Sequence, residues 1–214
     1  MTVSSNIPQL FHAPFTCSLA VRLAAAWGGV ELDVLPIKLG RAATDSEKQL
    51  LAVNPIGQVS TMVLADETVL TETAICLIWV QSQSNNNAFR RDPHSPDYFQ
   101  MLRWISFCST ELHSKLLRIV FYDEATDAVK DNFRTLAKTR FTHLDTHLSD
   151  KTVLSGDTLS AADAYLMWFL TLSEKAGAPI TPYQNLSAYF ARHASNENFS
   201  ALLSEDRLLK LSLA

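Results

Sequence analysis

Cys17 stands in the run Phe11-His12-Ala13-Pro14-Phe15-Thr16-Cys17-Ser18, where an apolar stretch gives way through a proline turn to a segment of helical periodicity. A cysteine there sits among the amides that open a helix. Their partial positive charge stabilises a thiolate and lowers the thiol pKa below the free value of about 8.5. Such a thiol acts as a nucleophile or exchanges with other thiols; an isolated cysteine also serves as a small apolar plug in a first helical turn. Cys76 and Cys108 bring the set to three, an odd number with no CxxC or metal-ligand spacing. Neither a disulfide framework nor a metal site is supported.

Two further places carry chemistry. Glu72-Thr73 follows a short β-type run and opens a helical one. An acid in a first helical turn suits the helix dipole. His113 lies in a long helical segment, where a lone histidine more often packs or faces solvent, although an imidazole can change charge near neutral pH.

The elements that must position these groups read as β-α-β-α-β-β-α in the first eighty residues. Strands are expected at 8–12 and 31–37, a helix from Cys17 to Gly28-Gly29, and a short helix over 46–53 closed by Asn54-Pro55. A hairpin of 61–64 with 69–71 leads into a helix over 72–83. Strands alternating with helices and closing on a hairpin suggest one sheet covered by helices. The polar stretch 81–87, with three consecutive asparagines, is the linker candidate. Beyond Pro96 the period is helical: 98–121, 124–148, 161–175, 183–194 and a short segment near 199–203. Ser160 and Asp163 have capping-box spacing. The domains expected are 1–83, a linker 84–94, and an all-helical 95–214.

Composition narrows the function classes. The hydrophobic fraction is 47% and the charged fraction 19%, which is the profile of a packed globular chain. The net charge is −4 and the basic residues are scattered, which argues against nucleic acid. Residues 1–6 carry no basic residue and no apolar run, and the longest apolar stretches fall well short of the roughly 20 residues that span a bilayer. A cytoplasmic location without membrane association is the expectation.

Five motifs in order resemble the glutathione transferases, most closely the bacterial beta class. They are Pro14-x-x-Cys17-Ser18-Leu19-Ala20, Asn54-Pro55-x-Gly57-Gln58-Val59, Leu70-Thr71-Glu72-Thr73 with Ile75, Thr110-Glu111-Leu112-His113, and 159–166 with Asp163. The resemblance implies a thioredoxin-like first domain, a helical second domain supplying an apolar pocket for a small hydrophobic electrophile, a homodimer, and glutathione as co-substrate with no metal. Its implied catalytic residues are Cys17, Ser18 and His113. Val59, Glu72, Thr73, Thr110 and Arg41 are implied to hold glutathione, Val59 through its backbone in the manner of an added strand. Trp104, Phe107, Leu117 and Phe121 would make the pocket apolar.

The pattern departs from the family at several contacts. Ser60 stands where proline follows the valine, and a trans Val59-Ser60 bond is expected, because a non-proline cis bond costs about 2.5 to 4 kcal/mol. Ala42 replaces a lysine, with Arg41 beside it as a substitute; Ser106 replaces an asparagine and Ser114 a lysine. The expected activity is conjugation or exchange of the glutathione thiol, as in a transferase. The alternative is a non-catalytic binding or regulatory protein that kept the fold.

Overall fold

The computed structural model describes residues 7–38 and 44–213. It divides into two compact units, one of Met1–Arg90 with Glu197–Ala214 and one of Arg91–Asn196. The return of the last residues to the first unit departs from the expected 95–214 domain.

The first unit holds β1 (Gln9–His12), α1 (Ser18–Gly28), β2 (Asp33–Pro36), α2 (Asp45–Val53), β3 (Thr61–Val63), β4 (Val69–Thr71) and α3 (Thr73–Gln83). This is the expected β-α-β-α-β-β-α order. The sheet runs β2-β1-β3-β4, with β1 parallel to β2 and antiparallel to β3. Phe11, Ala13, Ile37 and Leu50 form a core on one face, joined by Leu35, Val53, Val59 and Val63. The helix α1 is buried almost all round, because α3 and a last helix, α9 (Glu197–Ser212), both pack on it. It ends where Gly29 takes φ 65° and its N–H reaches back to the Ala25 carbonyl; that left-handed turn favours glycine.

The helix α9 spans sixteen residues, where the sequence suggested a short segment. Its run Ser204-Glu205-Asp206-Arg207 reads as solvated, yet Asp206 is fully buried. The stretch taken as a linker is pinned to the end of α1. Ser84 Oγ donates to the Gly28 carbonyl at 2.8 Å, and Asn86 Nδ2 donates to the Trp27 carbonyl at 3.0 Å. Phe89 is buried beside Gly28, where an added Cβ would lie 3.1 Å from its ring.

The second unit comprises α4 (Pro96–Phe107), a π-helical stretch Cys108–Leu117, α5 (Arg118–Val120), α6 (Asp127–His147), α7 (Ala161–Ser173) and α8 (Gln184–Ala194). The long segment 98–121 was expected as ordinary helix. Its middle is wound more widely, as the Arg118 N–H donating to the His113 carbonyl five residues back shows. The helix α7 is the hub, buried from Ala161 through Leu170. The capping box at its start forms, with Asp163 Oδ2 accepting from the Ser160 N–H at 2.9 Å. Asp163 Oδ1 accepts from Leu154 N–H at 2.8 Å and Tyr189 O–H at 2.9 Å, so this buried carboxyl ties three segments together.

Candidate functional site

In the first unit the heads of α1 and α3 meet the loop that enters β3. Asn54 shapes that loop. Its Nδ2 donates to the Gln58 carbonyl at 3.1 Å and to Thr61 Oγ1 at 2.9 Å, while its Oδ1 accepts from the Ile56 N–H at 3.2 Å. Val59 and Ser60 are thereby presented beside Cys17. The Cys17 thiol donates to the Val59 carbonyl at 3.2 Å. Ser60 Oγ lies 4.0 Å from Cys17 Sγ and 3.2 Å from Thr73 Oγ1. A thiol and two hydroxyls from three separate segments thus form one cluster.

The Val59-Ser60 bond is cis, which corrects the trans expectation. Local sequence preference is set aside by the surroundings: Ser60 is buried, with its hydroxyl on Thr73 and its carbonyl facing the Cys76 thiol at 3.9 Å.

The thiol is not the low-pKa group expected from its place on α1. Cys17 is 6% exposed. Burial pushes it up, and the hydroxyls of Thr73 and Ser60 pull the other way without prevailing. Desolvation of a thiolate outweighs the helix-start field here. The Cys76 thiol is pushed up to about 12, again by burial.

Glu72 precedes α3 with φ 67° and ψ 124°, outside the regions that L-residues favour, and its side chain makes no capping bond. Such a conformation costs about 1–3 kcal/mol and persists where the surroundings over-determine it. Glu72 is exposed at the start of the helix.

Ser18 turns away from this cluster, because adjacent helix positions are rotated by about 100°. It is fully buried, with its hydroxyl 2.8 Å from His12 Nδ1 and 2.9 Å from Thr16 Oγ1. His12 Nε2 in turn lies 2.8 Å from Asp206 Oδ1. The other carboxylate oxygen, Oδ2, accepts from the Phe15 N–H at 2.7 Å, and Arg22 Nη1 donates to Oδ1 at 2.8 Å. This polar chain braces the β1–α1 turn.

In the second unit, His113 Nδ1 is 2.9 Å from the Tyr165 hydroxyl and the ring stands edge-on to Trp168, centroids 4.7 Å apart. Burial lowers its pKa to about 4, so the imidazole is neutral at pH 7. Thr110 Oγ1 donates to the Ser106 carbonyl at 3.0 Å from an exposed position.

Comparison with known proteins agrees with the fold. Residues 110–206 match the family model of the glutathione S-transferase C-terminal domain. Over 206 residues the chain is 28% identical to glutathione S-transferase GST-4.5 of Xanthomonas campestris pv. campestris, covering 94% of this chain and 99% of that one. A sphingomonad glutathione S-transferase solved in complex with glutathione superposes with a TM-score of 0.87 at 26% identity, over 94% and 99% of the two chains. The fold is that of the glutathione S-transferases, and the chain is similar to them over almost its whole length. A bacterial beta-class glutathione S-transferase from Sphingomonas chungbukensis gives a TM-score of 0.84 at 28% identity, over 92% and 98%.

Within this glutathione S-transferase fold the expected site residues fall into distinct places. Cys17, Val59 and Thr73 come together in the first unit, with Glu72 beside Thr73 at the head of α3. Ser18 belongs to the brace behind them. Thr110 and His113 lie on the π-helical stretch of the second unit. Arg41 and Ala42 lie outside the described residues. Of the residues expected to line an apolar pocket, Trp104 and Leu117 are core, and Trp104 packs against Phe107, His143 and His147. Phe121 is 43% exposed. Sequence reasoning counted Ser60 only as a lost proline and missed its hydroxyl; a polar residue next to the glutathione S-transferase valine was the available signal. It quoted Asn54 as part of a motif without its hydrogen bonds, and passed over Asp206.

Proposed function

We propose that this chain is a glutathione transferase that binds glutathione along the heads of α1 and α3 and joins its sulfur to a small electrophile. The observation that carries the reading is Glu72, held at φ 67° with its carboxylate exposed at the start of α3, next to Thr73 and the Ser60–Cys17 cluster. The carboxylate pairs with the γ-glutamyl ammonium, and the α3 amides receive the γ-glutamyl carboxylate. Val59 offers its backbone to the cysteinyl part.

Conjugation is favoured over disulfide exchange through Cys17. Exchange needs a Cys17 thiolate, which burial opposes. In conjugation the glutathione thiol loses its proton to solvent, its sulfur attacks an electrophilic carbon, and a carbon–sulfur bond forms as the leaving group departs with its electron pair. The hydroxyls of Ser60 and Thr73 and the amides heading α1 supply donors for the developing thiolate, and positioning provides the rest of the acceleration. Thr110, His113 and Arg41 keep their expected roles as part of the proposal, as do a homodimer, a cytoplasmic setting and a task in detoxification.

Calorimetry with glutathione, followed by turnover of an activated aryl halide, tests the reading. Binding at millimolar or lower concentration with thioether formation supports it; absence of heat at millimolar glutathione rejects it and leaves a non-catalytic relative. Sedimentation checks the dimer.

A further inference from the structure

Within the second unit a cavity of ≈ 310 Å³ opens between α6 and the loop that joins α7 to α8. Ligand sites run from about 300 to 1,000 Å³, so an occupant of this one is small. Its occupancy is independent of the glutathione reading, because no residue assigned to glutathione lines it.

Part of the lining is charged. Asp131, Arg134 and Lys138 share a face of α6 by their spacing of three and four. Arg134 Nη1 donates to Asp131 Oδ1 at 2.7 Å and Nε donates to the Ala176 carbonyl at 2.9 Å, which leaves Nη2 uncommitted among the described residues. The loop is shaped around this guanidinium. Gly177 takes φ 72°, and an added Cβ there would lie 2.8 Å from Arg134 Nε. The remaining lining is largely apolar. It includes Pro179, Pro182 and the Tyr183 ring, which stands edge-on to Phe141 with centroids 5.4 Å apart.

A wholly apolar molecule would leave the charged groups unused, and a simple anion would meet the Asp131 carboxylate. Adjacent groups of opposite sign instead match a head group that carries an ammonium and a carboxylate on one carbon. The Asp131–Arg134 pair is open to solvent, with side chains 69% and 32% exposed. Such pairs contribute little to stability, so exchanging this one for two ligand contacts costs the fold little. We infer that this cavity binds a free α-amino acid with an aromatic side chain. The ammonium pairs with Asp131, the carboxylate takes the fork of Arg134, and the ring lies against Tyr183 and the two prolines. Lys138, on the same face, selects against a cationic side chain.

Backbone amide chemical shifts of the full chain, titrated with L-phenylalanine, test the inference. Two analogues serve beside it: hydrocinnamate, which lacks the ammonium, and phenethylamine, which lacks the carboxylate. L-phenylalanine should bind at least about ten-fold more tightly than either, with shifts centred on 131–141 and 177–183. Asp131→Asn, at an exposed position, should lose about ten-fold for L-phenylalanine and bind hydrocinnamate no more weakly than before. Arg134→Gln should weaken both L-phenylalanine and hydrocinnamate. Equal affinity for the three probes, full L-phenylalanine affinity in Asp131→Asn, or shifts confined to other surfaces overturns the inference.

Discussion

His12 Nε2 and Asp206 Oδ1 lie 2.8 Å apart with both side chains fully buried, joining the first strand to the last helix across 194 positions of sequence. The same carboxylate takes the Phe15 N–H and the Arg22 guanidinium, so one acid sets the turn from which Cys17 emerges.

Removing that acid takes a carboxylate partner from a buried imidazole and leaves Arg22 with Glu205 as its remaining one. Asp206→Ala should lower the unfolding free energy by about 3–5 kcal/mol, the range for breaking a buried pair by deleting one partner. Urea denaturation measures it. A loss under about 1 kcal/mol would mean that the Asp206 contacts add little to the docking of α9.

The thiols give a second check. Burial raises Cys17 above the ordinary thiol range, and Cys76 and Cys108 with it. Alkylation of the folded protein by iodoacetamide at pH 7.5 should therefore be slow at all three, and fast after unfolding. Thr73→Val removes the stronger of the two hydroxyl contacts that oppose the rise and should move the Cys17 profile to still higher pH. A Cys17 inflection below about 8.5 would contradict the assignment.

Glu72 separates binding from folding. Glu72→Ala should weaken glutathione binding by about 1.5 to 3 kcal/mol, the range for a lost charged hydrogen bond, with the fold intact. Glu72→Gly should lose the same affinity yet raise the unfolding free energy by about 1 kcal/mol, because glycine accepts the backbone that glutamate holds under strain. Affinity is read by calorimetry and stability by thermal unfolding. A destabilised Glu72→Gly would show that the side chain supports the fold.

His113 makes stability depend on pH. Its folded pKa of about 4 lies below the ordinary 6.5, so between those values the unfolded chain binds the extra proton. The contribution is full above about pH 6.5 and fades as pH falls toward 4, to a total of about 3 kcal/mol. Urea curves at pH 4.5 and 7 should differ less in His113→Gln, which can still bond Tyr165 but does not titrate in this window. An unchanged pH slope would place the dependence elsewhere.

Much of the fold was legible because it is written locally. The β-α-β-α-β-β-α order, the stop at Gly29 and the box at Ser160 and Asp163 depend on residues a few positions apart, whose periodicity and capping chemistry act within one element. The candidate site was half legible. Cys17, Val59, Glu72 and Thr73 were found from motifs, but the state of the thiol was not, since burial is a property of everything packed around it. Asp206 was missed for a related reason: a charge flanked by Glu205 and Arg207 looks solvated until the element it faces is known.

The sequence by itself determined the family pattern, the element order and the identity of the groups able to do chemistry. Tertiary structure alone decided that Cys17 is a buried donor to Val59, that Ser60 lends a hydroxyl beside it, that Ser18 faces His12, and that α9 returns to the first unit. The reason is physical: hydrogen-bond partners distant in sequence, and the desolvation they bring, exist only once the chain has packed.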